Sequence, residues 1–98
     1  MRMLDTLEKV IADRRAHPTT ASYTSGLFAK GRPKIAQKVG EEAVEVVVAA
    51  LAQTREAQIS ELADLFFHTL VLMNDLEVSL QDVEAELARR HKPTDEES

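Results

Sequence analysis

The chain has 98 residues, 44% apolar and 30% charged, with a formal net charge of −5. That is one small domain, able to bury roughly 60–65% of the surface its unfolded form exposes and too apolar for wholesale disorder. The acidic balance excludes a general nucleic-acid binder, which needs a basic footprint to displace counterions from phosphates, and the lack of cysteine excludes disulfides, thiolate metal sites and a cysteine nucleophile.

The N-terminal stretch MRMLDTLEK alternates charge at once, unlike a signal peptide. No apolar run approaches the roughly 20 residues needed to span a bilayer. We therefore expect a cytoplasmic protein with no membrane partner. A first amphipathic helix is predicted from about Asp5 to Arg15, with Leu4, Leu7, Val10 and Ile11 as its stripe and His17-Pro18 as its stop. TTASYTSGLFAKGRP, Thr19 to Pro33, is rich in hydroxyls and glycine and has no sustained helical period; it reads as a long loop, and loops of that length are often functional.

A second helix opens near Pro33, where a fixed φ and a missing N–H are harmless, and runs to about Gln53. A third spans about Arg55 to Leu76. Ser79 with Asp82 three residues on reads as a capping box, with Val78 and Val83 as a staple, for a fourth helix ending near Arg90. The closing KPTDEES has no apolar residue to anchor it. The expected organisation is an all-α domain over 1–92 and a disordered tail over 93–98. Such a small core would gain from a second copy.

On a helical wheel Glu41, Glu42, Glu45, Lys34, Lys38, Ala49 and Ala52 share an arc roughly 100° wide, while Ile35, Val39, Ala43, Val44, Val46, Val47, Ala50 and Leu51 fill most of the rest. So broad an apolar surface needs partners on two sides. The third helix repeats the design: Glu61, Asp64, His68 and Asp75 form a narrow stripe on an otherwise apolar cylinder that includes Leu62, Phe66, Phe67, Leu70 and Met73. In an antiparallel hairpin the Glu42/Glu45 and Glu61/Asp64 pairs meet. Four carboxylates repel strongly, because even two about 5 Å apart cost roughly 3 kcal/mol at an effective dielectric near 20. A hard divalent cation on oxygen ligands, magnesium or manganese, relieves that repulsion.

A glutamate stripe on one helix is ordinarily a solvated face; the matching second stripe is what favours the metal reading. The segment KGRPKIAQK supplies Lys30, Arg32, Lys34 and Lys38 beside the acids. These are either ordinary surface ion pairs or, with a metal, a clamp on a polyphosphate. His68 alone reads as a core histidine and Asp75 as structural. Gly40, inside a helix, suggests a close packing partner.

GEEAVEVVVAA followed by SELADLFFHTLVLM resembles the EExxE…ExxD pattern of the all-α nucleotide pyrophosphohydrolases, the MazG-like group, at Glu41, Glu42, Glu45, Glu61 and Asp64. SYTSGLFAKGRPKIAQKVGEEAVEVVVAA, ELADLFFHTLVLM and SLQDVEAELARRH are similar to the narrower phosphoribosyl-ATP pyrophosphatase family, over about Leu7 to His91.

The resemblance implies a four-to-five-helix MazG-like bundle around a central antiparallel hairpin, its core completed by dimerisation. It also implies Mg²⁺-dependent hydrolysis of phosphoribosyl-ATP to phosphoribosyl-AMP and pyrophosphate, the second step of histidine biosynthesis, in a free-standing form of the enzyme. Carried over by position, Glu42, Glu45, Glu61 and Asp64 become metal ligands. Glu41 or Glu45 becomes the group that orients water. Lys30, Lys34 and Lys38 contact phosphate, with Arg32 beside them on the leaving group, and Ser22, Tyr23, Thr24 and His68 surround the site. A housecleaning pyrophosphohydrolase and a non-catalytic helical dimerisation module are the competing readings.

Overall fold

The computed structural model describes residues 2–91, and the tail expected over 93–98 lies outside them. It is all-helical over those residues: α1 (Met3–Ala16), α2 (Tyr23–Lys30), α3 (Arg32–Ala52), α4 (Arg55–Leu76) and α5 (Leu80–Arg90). The all-α expectation and the helix bounds from α3 onward hold to within a residue or two.

The long loop does not. Residues Tyr23–Lys30 form α2, capped by the Ser22 side chain, which accepts from the Ser25 N–H at 3.1 Å. Two glycines and a run of hydroxyls hid a short helix whose periodic signal is Thr24, Leu27 and Phe28. Leu27 is buried, and the Ser25 hydroxyl donates to the Arg14 carbonyl at 2.8 Å while accepting from the Thr19 N–H. That hydroxyl secures α2 to the end of α1. Gly31 then turns the chain at φ 94°, in the left-handed region that favours glycine, so that Pro33 falls in the first turn of α3.

Helices α3 and α4 are joined by Gln53-Thr54, with Thr54 capping α4 through Ala57 N–H. They form an antiparallel hairpin: Gln58 donates to the Ala49 carbonyl near the turn, and Arg32 donates to Asp75 at the open end. Ile11, Leu27, Ile35, Leu70 and Val71 form the core at that open end, joined by Leu4, Leu7, Phe28, Phe67, Leu72, Met73 and Leu80. Toward the turn, apolar residues of both helices stay exposed, Leu51 and Val44 by 83% and 62%.

The capping box at Ser79 and Asp82 is present, and Glu8 of α1 accepts from Leu80 N–H at 2.9 Å. Within this chain nothing packs closely on Gly40; a methyl group placed there meets nothing within 4 Å.

Arg32 binds Asp75 through Nε at 2.6 Å and the Asp75 carbonyl through Nη2 at 3.1 Å. The pair fastens α3 to the C-terminal end of α4, where a cation also complements the helix dipole. Arg32→Ala is expected to lower stability by about 1 kcal/mol, a fall of roughly 4–8 °C in a domain of this size. Circular-dichroism melting reads it, and an unchanged melt would discard the tie.

Candidate active site

One turn separates Glu42 from Glu45 on α3, and the antiparallel register sets Glu61 of α4 opposite. Each of the three offers a carboxylate oxygen, all within 4.8 Å of one another. Glu42 is 6% exposed. Oε1 of Glu42 and Oε1 of Glu61 are buried with no hydrogen-bond partner. An unsatisfied buried polar atom costs on the order of 1–3 kcal/mol, and like charges at this spacing add to that cost. The strain is visible in Glu45, whose pKa is raised, first by hydrogen bonding and then by charge repulsion from Glu61, with Glu42 and Lys38 partly offsetting it. An all-oxygen, anionic donor set with two oxygens left over fits a hard divalent cation.

Asp64 lies on the same helix one turn beyond Glu61 but is exposed, and the converging group is Glu42, Glu45 and Glu61 without it. Its backbone carbonyl accepts from His68 Nδ1 at 2.8 Å. Glu41 is exposed, one position aside from the cluster. The Gln37 amide at 2.9 Å, aided by Lys38 and Lys34, holds its carboxyl below the ordinary carboxylate range. Gln37 escaped the sequence reading, although its spacing of four residues from Glu41 is a legible signal.

The Lys38 ammonium lies 3.6 Å from Glu42 Oε2 and 3.7 Å from Glu41 Oε1. Its pKa is raised, chiefly by Tyr23 and then by Glu42 and Glu41, against the opposing effect of burial. Lys34, one turn earlier on the same face, adds positive charge beside Glu41. Lys30 is exposed in the last turn of α2. Arg32 is committed to Asp75, about ten residues and so roughly 15 Å along the hairpin from Glu42. Ser22 caps α2, Thr24 is buried, and Tyr23 reaches across to His68 with 2.8 Å between Oη and Nε2.

A helical hairpin with an acidic centre, approached by a row of lysines on the same face, defines the class. The sequence profile of the family described as phosphoribosyl-ATP pyrophosphohydrolase matches residues 4–91, and the chain belongs to that family. A phosphoribosyl-ATP pyrophosphatase of Rhizorhabdus wittichii is 56% identical over 87 residues, 89% of this chain and 82% of the relative. One of Sulfurisphaera tokodaii is 52% identical over 90 residues, covering 92% and 96%. A histidine biosynthesis bifunctional protein, HisIE, of Oceanobacillus iheyensis is 44% identical over 91 residues, 93% of this chain but 42% of the relative.

Proposed function

We propose that this chain hydrolyses phosphoribosyl-ATP to phosphoribosyl-AMP and pyrophosphate in histidine biosynthesis, in the cytoplasm, with Mg²⁺ at the acidic cluster and Mn²⁺ as a substitute. The observation that carries the site assignment is the pair of buried, unpartnered oxygens on Glu42 and Glu61, converging with Glu45. These three residues would hold the cation, with Asp64 swinging in from its exposed position one turn away. Bound there, it would neutralise negative charge on the pyrophosphate being released.

The chain's own residues do the rest. Lys34 and Lys38, on the same face as the glutamates, bind phosphate oxygens, and Lys30 at the end of α2 extends the row. Glu45, the exposed carboxylate at the edge of the cluster, accepts the proton of the attacking water. The water oxygen bonds to phosphorus, the α–β bridging P–O bond breaks, and pyrophosphate leaves. No covalent nucleophile is needed.

The apolar residues exposed toward the hairpin turn, Val44, Val47, Val48 and Leu51 on α3 with Ile59, Leu62 and Phe66 on α4, support a homodimer built on this surface.

The deciding experiment is pyrophosphate release from phosphoribosyl-ATP, with ATP and dUTP in parallel, in Mg²⁺ and in EDTA. Turnover of phosphoribosyl-ATP alone, lost in EDTA, is the expected result. Turnover of the ordinary nucleotides would move the chain to the housecleaning activity, and silence throughout would leave a helical association module.

A further inference from the structure

Tyr23 is the chain's one tyrosine, and its tip and its ring stand in different surroundings. The hydroxyl lies 2.8 Å from Nε2 of His68, which is 6% exposed, and Nδ1 of His68 lies 2.8 Å from the Asp64 carbonyl. A carbonyl oxygen only accepts, so Nδ1 carries the proton, Nε2 of the neutral ring offers a lone pair, and the Tyr23 O–H donates to it. The polarity of the pair is thereby set. With its one hydrogen committed to His68, the phenol has none to give a phosphate oxygen. What Tyr23 still offers is its ring, and the residue is 56% exposed.

That ring is held in place. Phe67 packs against it with centroids 6.2 Å apart and a tilt of 31°, and the His68 ring meets it edge-on at 5.8 Å and 89°. Phe67 in turn braces His68 at 85°. A pre-positioned aromatic face loses little conformational freedom when a flat ligand stacks on it. A tyrosine kept only to fasten α2 to α4 would gain from burying its ring as well, yet this one leaves it in solvent. His68 follows Glu61 by seven residues on the same stripe of α4, so Tyr23 is tied down roughly 10 Å along the helix from the acidic cluster.

We propose that the exposed ring of Tyr23 is the stacking platform for the substrate's adenine. This rests on the reading of Glu42, Glu45 and Glu61 as the place where the α–β phosphoanhydride is cleaved. In phosphoribosyl-ATP a ribose separates the α-phosphate from the purine, so phosphates held at the cluster set the base one sugar's length away, where Tyr23 stands. The purine is also the one part of that substrate with an aromatic face. His68 and Phe67 position the platform without touching the substrate.

The first test is the emission of Tyr23 itself. The chain lacks tryptophan, so tyrosine fluorescence reports this residue alone. Phosphoribosyl-AMP, which keeps the base and has no pyrophosphate to lose, is expected to quench it saturably in Mg²⁺. Ribose 5-phosphate with pyrophosphate, which supplies the charges without the base, should leave it unchanged; free tyrosine measured in parallel corrects for light absorbed by the nucleotide. Kinetics give the second readout. Tyr23→Leu is expected to raise KM for phosphoribosyl-ATP about tenfold or more with kcat nearly unchanged. Tyr23→Phe, which keeps the ring and loses the hydroxyl, should stay within about threefold of the unmutated chain. Emission unchanged at phosphoribosyl-AMP concentrations that inhibit turnover, or a Tyr23→Phe variant as impaired as Tyr23→Leu, would overturn the platform and leave Tyr23 as a fastening of α2, with the proposed function intact. Should Tyr23→Leu fail to fold, the quenching decides alone. No turnover of phosphoribosyl-ATP by the unmutated chain would instead remove the proposed function and the inference with it.

Discussion

Glu42→Gln is expected to cut kcat/KM for phosphoribosyl-ATP at least about a hundredfold while the fold survives. The carboxylate is buried, one oxygen has no partner, and the other reaches Lys38 at 3.6 Å. Glutamine fills the same volume, so no cavity forms. It also removes one of three mutually repelling charges, so the cation-free protein should melt within a few degrees of the unmutated one. The difference appears when Mg²⁺ is added. A ligand at 100 times its Kd stabilises the native state by about 2.7 kcal/mol, roughly ten degrees or more for a domain of this size, and the variant should lose most of that gain. Steady-state pyrophosphate release and paired melts with Mg²⁺ and EDTA read both effects. Full activity, or an undiminished Mg²⁺ shift, would remove Glu42 from the site. Asp64→Asn measured alongside decides whether that exposed carboxylate joins the cluster.

A charge placed at Val47 should dissociate the proposed dimer. Val44, Val47, Val48 and Leu51 follow the helical spacing of a single face, and Ile59, Leu62 and Phe66 do the same on α4, with exposures from 42% to 83%. Exposed apolar faces of this extent ordinarily mark an association site, and a stable interface buries about 800 Å² on each partner. In a two-fold interface one substitution acts twice. Leaving a carboxylate buried without a partner is costly, typically about 3–5 kcal/mol, so Val47→Glu should weaken association a hundredfold or more. Sedimentation velocity at micromolar concentration is expected to show a dimer for the unmutated chain and a monomer for the variant. A monomer in both would leave the exposed face without its proposed role.

Much of this was legible because the signals were local and periodic. Ser79 and Asp82 announced a helix start that the structure contains, and the α3 and α4 stripes announced a hairpin with facing acids, which Glu42, Glu45 and Glu61 form. What escaped was set by tertiary contacts. The periodic signal of helix α2 is confined to Thr24, Leu27 and Phe28 among glycine and hydroxyls, and the helix owes its place to Ser25 bonding a carbonyl of α1 and to Leu27 in the core. Arg32 looked like one more cation in a basic run, but its partner is Asp75, 43 residues away. The polarity of the Tyr23–His68 pair likewise depends on a backbone carbonyl that no side-chain pattern discloses.

The carboxylate of Glu8 that seats the first amide of α5 connects residues 72 positions apart. During synthesis Glu8 emerges long before Leu80, and until then the last helix has no such anchor. The domain therefore closes late, α1 clasping the start of α5, so these two helices should gain and lose protection from hydrogen exchange together rather than separately.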